Sequence, residues 1–371
     1  MRNQKPVIKD RLPATNYQEI LIKVATPTSV GMGFLLPKWK VIVTCEHIVR
    51  GNEEVVVQGL NEKSLAKVLY LDSILDVAFL AIPNGWEAPE LELATLANIE
   101  TEIPIWIAGI PDGSQQEIVK AELADTIEQT DKITYLELDT PVASDQSGCP
   151  VLDNQHRILG LNSAMYSIND TFAFALSSDY IIQSLIHYYK QSKQFENEVI
   201  IKCVGCEKLI AETQIVQKIC PDCGESLEIE IENYEPEGIA RTIENLLSQT
   251  GYDIKLARKG PNAWEVHQGS ATIEIIYNEK DGYIIGDAIL CRLSEHPTEA
   301  LYEYLLQQNY LLKGLNLSIK GSEIVLSLLI YERDLNMDIG SILFQNLFER
   351  ADHFDNILVE KYGAKWLFDR L

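Results

Sequence analysis

The stretch 143–150, which reads Ala-Ser-Asp-Gln-Ser-Gly-Cys-Pro, offers one serine hydroxyl in a setting where it could react. Gly148 follows Ser147, Pro150 stands close by, and apolar residues come next, which is typical of a tight turn that leads into a buried strand. A serine hydroxyl is a poor nucleophile until a base removes its proton, and that base must be oriented by a third group. The stretch therefore predicts a nucleophile whose partners lie elsewhere in the chain.

A histidine and a carboxylate upstream could be those partners. His47 follows the apolar run at residues 41–44, and Asp76 opens another apolar run at residues 77–80. Both would lie at the ends of strands, where loops commonly carry function. Asp72 is a competing carboxylate, but the strand that follows Asp76 favours Asp76.

Two Cys-x-x-Cys pairs form a second chemical pattern, made of Cys203, Cys206, Cys220 and Cys223. Four thiolates on two tight turns suit one tetrahedral Zn²⁺, and a segment as short as 199–233 has too little core to fold without it. A pair of redox dithiols is the alternative, which two matched pairs make less favoured. We expect a structural zinc ion here and no cofactor for catalysis.

Composition limits the possible partners and the location. The chain has 371 residues and a formal net charge of -24, which disfavours nucleic acid and anionic lipid as partners, although such a charge also simply confers solubility. No apolar run approaches the roughly 20 residues of a membrane span, and residues 1–16 lack the apolar core of a secretory signal. Paired cysteines of the metal-binding kind are typical of a reducing compartment, so we expect a cytoplasmic protein.

Short apolar runs between turn residues fill residues 19–96 and again residues 104–176. Runs of this length, rich in Val, Ile and Leu, predict two all-β units in tandem. Residues 178–193 have the amphipathic spacing of one helix, and a polar linker follows.

The composition changes again beyond residue 235, where stretches with helical periodicity are separated by runs with the alternation of strands. This arrangement predicts an α+β domain over residues 235–371. The predicted helices cover 236–250, 298–308 and 337–362, and the predicted strands cover 254–257, 263–267, 271–277, 283–290, 312–319 and 323–331.

Four stretches resemble the signatures of chymotrypsin-fold serine peptidases of the compact HtrA type. They are Gly-Met-Gly-Phe-Leu-Leu at 31–36, Thr-Cys-Glu-His-Ile-Val at 44–49, Asp-Val-Ala-Phe-Leu at 76–80 and Asp-Gln-Ser-Gly-Cys-Pro at 145–150. The resemblance covers about residues 15–190. It implies a double β-barrel peptidase domain over residues 1–196, closed by the helix.

The resemblance also assigns roles. Ser147 would be the nucleophile, His47 the general base, and Asp76 the group that orients the imidazole. The backbone amides of Ser147 and Asp145 would form the oxyanion hole. The strand at 158–164 resembles the one that lines the specificity pocket, which implies a shallow pocket at Asn162, Ser163 and Ala164.

Asp145 and Cys149 each replace a glycine of the family pattern, and Gln146 replaces the aspartate that pairs with the new N-terminus in zymogen-type enzymes, so activation by N-terminal cleavage is not expected. Asp145 replaces a glycine whose amide must turn toward the substrate, so the oxyanion hole could stay closed until a partner binds. Cys45 and Cys149 lie beside the site, where they are either small core residues, the favoured interpretation, or a redox control. Pro141 stands where trypsin-type enzymes carry an aspartate, so the sequence does not support a preference for Lys or Arg.

The remaining parts resemble known modules more loosely. The segment 199–233 resembles zinc ribbons, many of which touch nucleic acid; its acidic balance favours a spacer or protein-docking role. The element order of residues 235–371 resembles the type III secretion chaperone-like or YbjN-like fold, which implies binding of a regulatory protein or self-association. We expect a bacterial serine endopeptidase that cleaves protein substrates and is latent until a partner binds; the alternative is a catalytically idle adaptor on a peptidase fold.

Overall fold

The computed structural model describes residues 19–60, 62–95, 103–109, 117–128, 133–140, 146–163, 173–195, 198–227 and 234–367. The chain divides into two compact units, Met1–Glu232 and Asn233–Leu371. The boundaries that the sequence predicts at 1–196, 199–233 and 235–371 stay predictions, and the Cys-rich segment falls within the first unit.

Six antiparallel strands close the first barrel in the order β1-β2-β3-β6-β5-β4. The strands are β1 Leu21–Ala25, β2 Val30–Leu36, β3 Val41–Thr44, β4 Glu54–Gln58, β5 Lys63–Asp72 and β6 Val77–Ala81. A four-residue helix, α1 Glu46–Val49, follows β3 directly. The Val, Ile and Leu side chains of these strands fill the interior, and most of them are buried.

The long strand β5 pairs with three other strands along its length. Its first half pairs with β4, and its second half pairs with β6. The edge that β4 leaves open beside Tyr70 and Leu71 is taken, in parallel, by β13 Ile200–Lys202, which forms a hairpin with β14 Leu209–Ala211. The Cys-rich segment therefore continues the sheet of the first barrel.

Six further strands close a second barrel in the order β10-β11-β12-β9-β8-β7. The strands are β7 Ile103–Gly109, β8 Glu117–Glu128, β9 Thr134–Leu138, β10 Pro150–Leu152, β11 Ile158–Ser163 and β12 Ala173–Ser177. The helix α2 Ser178–Gln191 follows, capped by the Ser177 hydroxyl, which accepts a hydrogen bond from the Asp179 amide. The double barrel predicted from the sequence is confirmed, and one continuous core joins both barrels, α2 and β13.

The second unit contains a six-stranded antiparallel sheet in the order β15-β16-β17-β18-β20-β19, together with four helices. The strands are β15 Arg258–Gly260, β16 Ala263–Gln268, β17 Ala271–Asn278, β18 Tyr283–Arg292, β19 Leu315–Lys320 and β20 Glu323–Tyr331. The helices are α3 Gly238–Gln249, α4 Ile254–Ala257, α5 Glu299–Leu311 and α6 Met337–Tyr362.

One predicted strand of this unit is wrong. Residues 254–257 form the helical turn α4 because the Asp253 carboxylate accepts hydrogen bonds from the Lys255 and Leu256 amides and so caps a helix. The resemblance to a chaperone-like fold stays a prediction. Among the residues that the structure describes, no helix is both long and apolar enough to cross a membrane.

Candidate active site

His47 is positioned by the first turn after a barrel strand. Strand β3 ends at Thr44, and α1 begins at Glu46, which brings the imidazole against Asp76. The ring Nδ1 lies 2.9 Å from both carboxylate oxygens of Asp76, and the backbone N–H of His47 donates to Asp76 Oδ1 at 3.0 Å. A neutral imidazole has one N–H, and its place beside the carboxylate leaves Nε2 as the proton acceptor.

Asp76 sits at a bend whose backbone is unusual for a residue with a Cβ. Its φ is 53°, in the left-handed region. The carboxylate is almost fully buried, and besides the two His47 groups it accepts a hydrogen bond of 2.8 Å from Ser163 Oγ. A buried carboxylate held by several donors is satisfied in its ionised form, which is the form that orients an imidazole.

The turn at Ser147 is fixed by close backbone packing. Gly148 has a φ of +90°, and a Cβ there would lie 1.8 Å from the Met32 carbonyl oxygen. The Gly148 amide donates to the Asn162 carbonyl at 2.8 Å, and the Met32 amide donates to the Ser147 carbonyl at 2.7 Å. Ser147 is thereby inserted between strands of the two barrels, with only 1% of its surface exposed.

Two of the predicted pocket residues are engaged inside the site. The Asn162 carbonyl accepts a hydrogen bond from the Gly148 amide, and the Asn162 side-chain amide donates a hydrogen bond of 2.9 Å to the Gln146 carbonyl. Ser163 supports Asp76, a role that the sequence did not indicate because it depends on which way β11 faces. Ala164, Asp145 and Pro141 lie outside the described residues, so the pocket and the oxyanion hole stay predictions.

Cys45 lies behind the His47–Asp76 pair. Its thiol is fully buried and donates to the Asn162 carbonyl at 3.4 Å. Burial raises the pKa of the Cys45 thiol well above 9.0, and the negative charge of Asp76 raises it further. Cys149 is also buried, and a Cβ on Gly109 would lie 2.8 Å from its sulfur. Both cysteines are packed as core residues.

Asp72, the rival carboxylate, has different partners. It is fully buried and forms an ion pair with Lys202, whose Nζ lies 3.2 Å from Asp72 Oδ2. The Tyr70 hydroxyl donates to the same oxygen at 3.1 Å. Burial raises the pKa of Tyr70, so its hydroxyl stays a donor. The sequence did not predict the ion pair between Lys202 and Asp72. The available signal was the position of Lys202 directly before the first cysteine of a knuckle, Cys203.

The four cysteines of the two knuckles converge. Their sulfurs all lie within 4.8 Å of one another, with 3.6 Å between Cys203 and Cys223 and 3.9 Å between Cys206 and Cys220. Thiolates about 2.3 Å from a tetrahedral zinc ion are about 3.8 Å apart, so the geometry fits the ion.

Both knuckles have the same backbone. The residue after each second cysteine, Glu207 or Gly224, has a positive φ, and its amide donates to the carbonyl of the first cysteine at 2.9 or 3.0 Å. This repeated turn aims two sulfurs from each knuckle at one point, which fits a closed structural site.

Residues 31–161 match the family model described as a trypsin-like peptidase domain. Among curated proteins, the chain is 27% identical over 196 residues to human "Serine protease HTRA4", covering 49% of this chain and 40% of that one. It is 24% identical over 158 residues to a "Probable periplasmic serine endoprotease DegP-like" of Pseudomonas fluorescens, covering 41% and 33%. The first unit therefore carries a trypsin-like peptidase domain with HtrA- and DegP-type serine protease homologues.

These relatives extend well beyond the match. The chain covers 40 to 43% of the length of the first three curated relatives. The DegP-like relatives are described as periplasmic, which does not support the cytoplasmic location expected from the cysteines. Among solved structures, the Rv3671c protease of M. tuberculosis in its active form has a TM-score of 0.43 and 21% identity, covering 46% of this chain and 81% of that one.

Proposed function

We propose that this chain is a serine endopeptidase that cleaves protein substrates with Ser147, His47 and Asp76. The observation that carries the proposal is the buried Asp76 carboxylate held on Nδ1 of His47, in a domain whose homologues are serine proteases. A carboxylate on Nδ1 fixes the tautomer of the base, as the acid of a triad does, and this supports the proposal.

The first half of the reaction forms an acyl-enzyme. His47 Nε2 accepts the proton of the Ser147 hydroxyl as its oxygen attacks the scissile carbonyl carbon, and the carbonyl oxygen becomes an oxyanion. The imidazolium is stabilised by the Asp76 carboxylate. It then gives its proton to the leaving amine as the C–N bond breaks, which leaves an ester on Ser147.

The second half repeats these steps with water. His47 accepts a proton from the water that attacks the ester, and returns it to Ser147 Oγ as the product acid leaves. In both halves the amides of Ser147 and Asp145 would stabilise the oxyanion. We infer a shallow pocket at Asn162, Ser163 and Ala164, which suits small or medium apolar side chains.

Labelling with a fluorophosphonate tests this function. We expect the wild-type chain to be labelled and Ser147→Ala to lose all labelling, because the reagent reacts only with an activated serine. Ser64→Ala, which removes a hydroxyl from the half-buried start of β5, is the matched control and should label normally. Absence of labelling in the wild type, with and without candidate partner proteins, would favour the idle adaptor.

We further propose that the enzyme is latent, because Asp145 stands where the family carries a glycine and its carboxylate would lie near the developing oxyanion. Asp145→Gly is expected to raise basal peptide cleavage by restoring the freedom of a glycine. Asp145→Asn separates the two causes, since it removes the charge but keeps the side chain. Unchanged or lower cleavage by Asp145→Gly would show that this residue is not the brake.

Cys203, Cys206, Cys220 and Cys223 are proposed to hold one structural zinc ion. Metal analysis of the purified chain should give one zinc per chain, and Cys220→Ser should lose it. Cys291→Ala removes a buried cysteine of the second unit and should keep the metal.

Thiolate ligands need a reducing compartment, so cell fractionation is expected to find the protein in the cytoplasm; recovery from the periplasm would contradict this.

The second unit is proposed to bind a regulatory protein or a second copy of the chain. Its exposed apolar side chains, such as those of Leu306 and Tyr310 on α5, favour a contact surface. Light scattering of the full chain over a range of concentrations should detect self-association. A constant monomer mass would leave a different protein as the partner, to be sought by co-purification.

A further inference from the structure

The Cys-rich segment is built into the catalytic barrel through its first strand. Ile200 and Ile201 of β13 pair with Tyr70 and Leu71 of β5, and the side chains of both isoleucines are buried in the core that the two barrels share. This edge of β5 is the one that β4 leaves open. A segment that only separated two domains would not need such contacts. We therefore expect the Cys-rich segment to support the structure of the peptidase barrel.

Lys202 is the next residue along that strand, and it reaches the turn that ends at the catalytic acid. Its ammonium forms an ion pair with the buried Asp72 carboxylate. The other oxygen of Asp72 accepts hydrogen bonds of 3.1 Å from the amides of Ile74 and Leu75. One carboxylate therefore ties together Lys202 and the backbone of the turn.

That turn delivers Asp76 in a conformation that needs support. A left-handed backbone is unfavourable for a residue with a Cβ, and it persists where surrounding contacts determine it. Asp76 must nevertheless present both oxygens to His47. Whatever fixes the turn at Asp72 thereby helps to fix the acid of the triad.

The same segment also faces the helix that carries His47. A cavity of about 300 Å³ is lined by Arg50 at the end of α1, by Ser73 in the turn, and by Lys202, Val204 and Glu225 of the segment. The segment thus borders the two elements that position His47 and Asp76. Its own core is small, consisting of Cys203, Cys220, Ile210 and Leu227, so a bound metal would hold it together.

We propose that metal binding at the four cysteines sets the competence of the catalytic site, with Lys202 as the positioning residue that links them. The bound metal keeps β13 on the edge of β5, Lys202 holds Asp72, and Asp72 holds the turn that presents Asp76 to His47. This inference rests on the proposed peptidase function and specifies how that site is regulated.

The test uses the full chain and two variants of Lys202. Lys202→Met is expected to keep its zinc while kcat and the fluorophosphonate labelling rate fall by about tenfold to a hundredfold, with KM little changed, because the acid is displaced by less than the width of an atom. Lys202→Arg keeps the charge and should recover much of the rate.

The matched control is Lys208→Met. Lys208 lies in the same segment and pairs with Asp222 at 2.9 Å, but this pair is exposed and does not touch the turn. It should behave as the wild type. Equal kcat in Lys202→Met and Lys208→Met would overturn the proposal.

Zinc removal provides a second arm that does not depend on a variant folding. Chelation of the wild-type chain should lower the labelling rate to a similar extent, and added zinc should restore it. An apo chain that is labelled at the wild-type rate would contradict the link between metal and site.

A third readout does not require activity. The proton on His47 Nδ1, shared with Asp76, is expected to give a far-downfield NMR signal, assigned by its loss in Asp76→Asn. Chelation or Lys202→Met should weaken or shift this signal, and an unchanged signal would reject the inference. If the wild type neither labels nor cleaves while the signal responds as expected, the proposed function fails and the coupling stands.

Discussion

The Asp76 side of the candidate site, here called the acid side after its proposed role, and the turn at Ser147 are held by different forces. Asp76 is held by hydrogen bonds to its charge, donated by two groups of His47 and by Ser163. The turn at Ser147 is held by backbone contacts and by the absence of a side chain at Gly148. The hydrogen bonds around Asp76 can be strengthened or weakened one at a time. The close backbone packing at Ser147 allows little change.

This difference indicates where regulation can act. A charged group such as Asp72 can receive help from a distant segment, as the Lys202 ion pair shows. The turn at Ser147 packs against Met32 with no space for a methyl group at Gly148. It therefore offers no charged group that a distant segment could bind. Substitutions on the acid side should therefore lower the rate while the protein stays folded, and substitutions in the serine turn should lower stability.

Among substitutions that keep Ser147, the largest expected effect on rate is that of Asp76→Asn. A carboxamide would favour the wrong tautomer of His47, and the same exchange in a well-studied triad lowers kcat by about 10⁴-fold. We expect a loss of that order in peptide cleavage, with little change in thermal stability. The control is Asp125→Asn, an exposed carboxylate on β8. A loss below about tenfold would mean that the acid side does not act through the charge of Asp76.

Gly148→Ala should act mainly on stability. The new Cβ would meet the Met32 carbonyl, and left-handed φ adds strain, so we expect a loss of about 3 kcal/mol in the free energy of unfolding. Gly85→Ala is matched to it, because Gly85 has a φ of +86° and nothing within 4 Å of its Cβ position. Denaturant unfolding should show a cost of only about 1 kcal/mol there. Equal costs would show that packing at the serine turn is looser than described.

The sequence predicted the parts of the site that depend on local patterns. His47, Asp76 and Ser147 each stand in a short stretch with its own turn or strand signal, and the double barrel followed from runs of apolar residues. Helix α6 was predicted with its observed bounds, Met337–Tyr362, because caps and amphipathic spacing are local.

Long-range features could not be predicted in the same way. The docking of β13 on β5 depends on an edge that becomes free only once β4 has turned away, and such pairing leaves no local signal. The contact between Ser163 and Asp76 depends on how the two barrels meet. The strand predicted at 254–257 was wrong for a local reason, since the cap at Asp253 could have been recognised.

Ser163→Ala should have a smaller effect than either of the first two substitutions. It removes one of the hydrogen bonds to the Asp76 carboxylate, while the His47 contacts remain. A bond to a charged group is worth about 1.5 kcal/mol, so we expect a loss of about tenfold in kcat and little change in KM. Ser64→Ala serves again as the control. A raised KM with normal kcat would instead place Ser163 in substrate binding, as the pocket prediction holds.

Oxidation of Cys45 should have the smallest effect, although the thiol lies close to Asp76. Burial raises the pKa of the Cys45 thiol above 9.0. The protonated thiol is therefore favoured in the folded protein, and the stability that this preference contributes is lost only as the pH rises through the raised pKa. The reactive thiolate is therefore scarce near neutral pH. Mild peroxide treatment of the zinc-bound chain should leave labelling of Ser147 unchanged and Cys45 unmodified by mass spectrometry. Oxidised Cys45 together with slower labelling would show that the acid side can be regulated from its buried face as well as through Lys202.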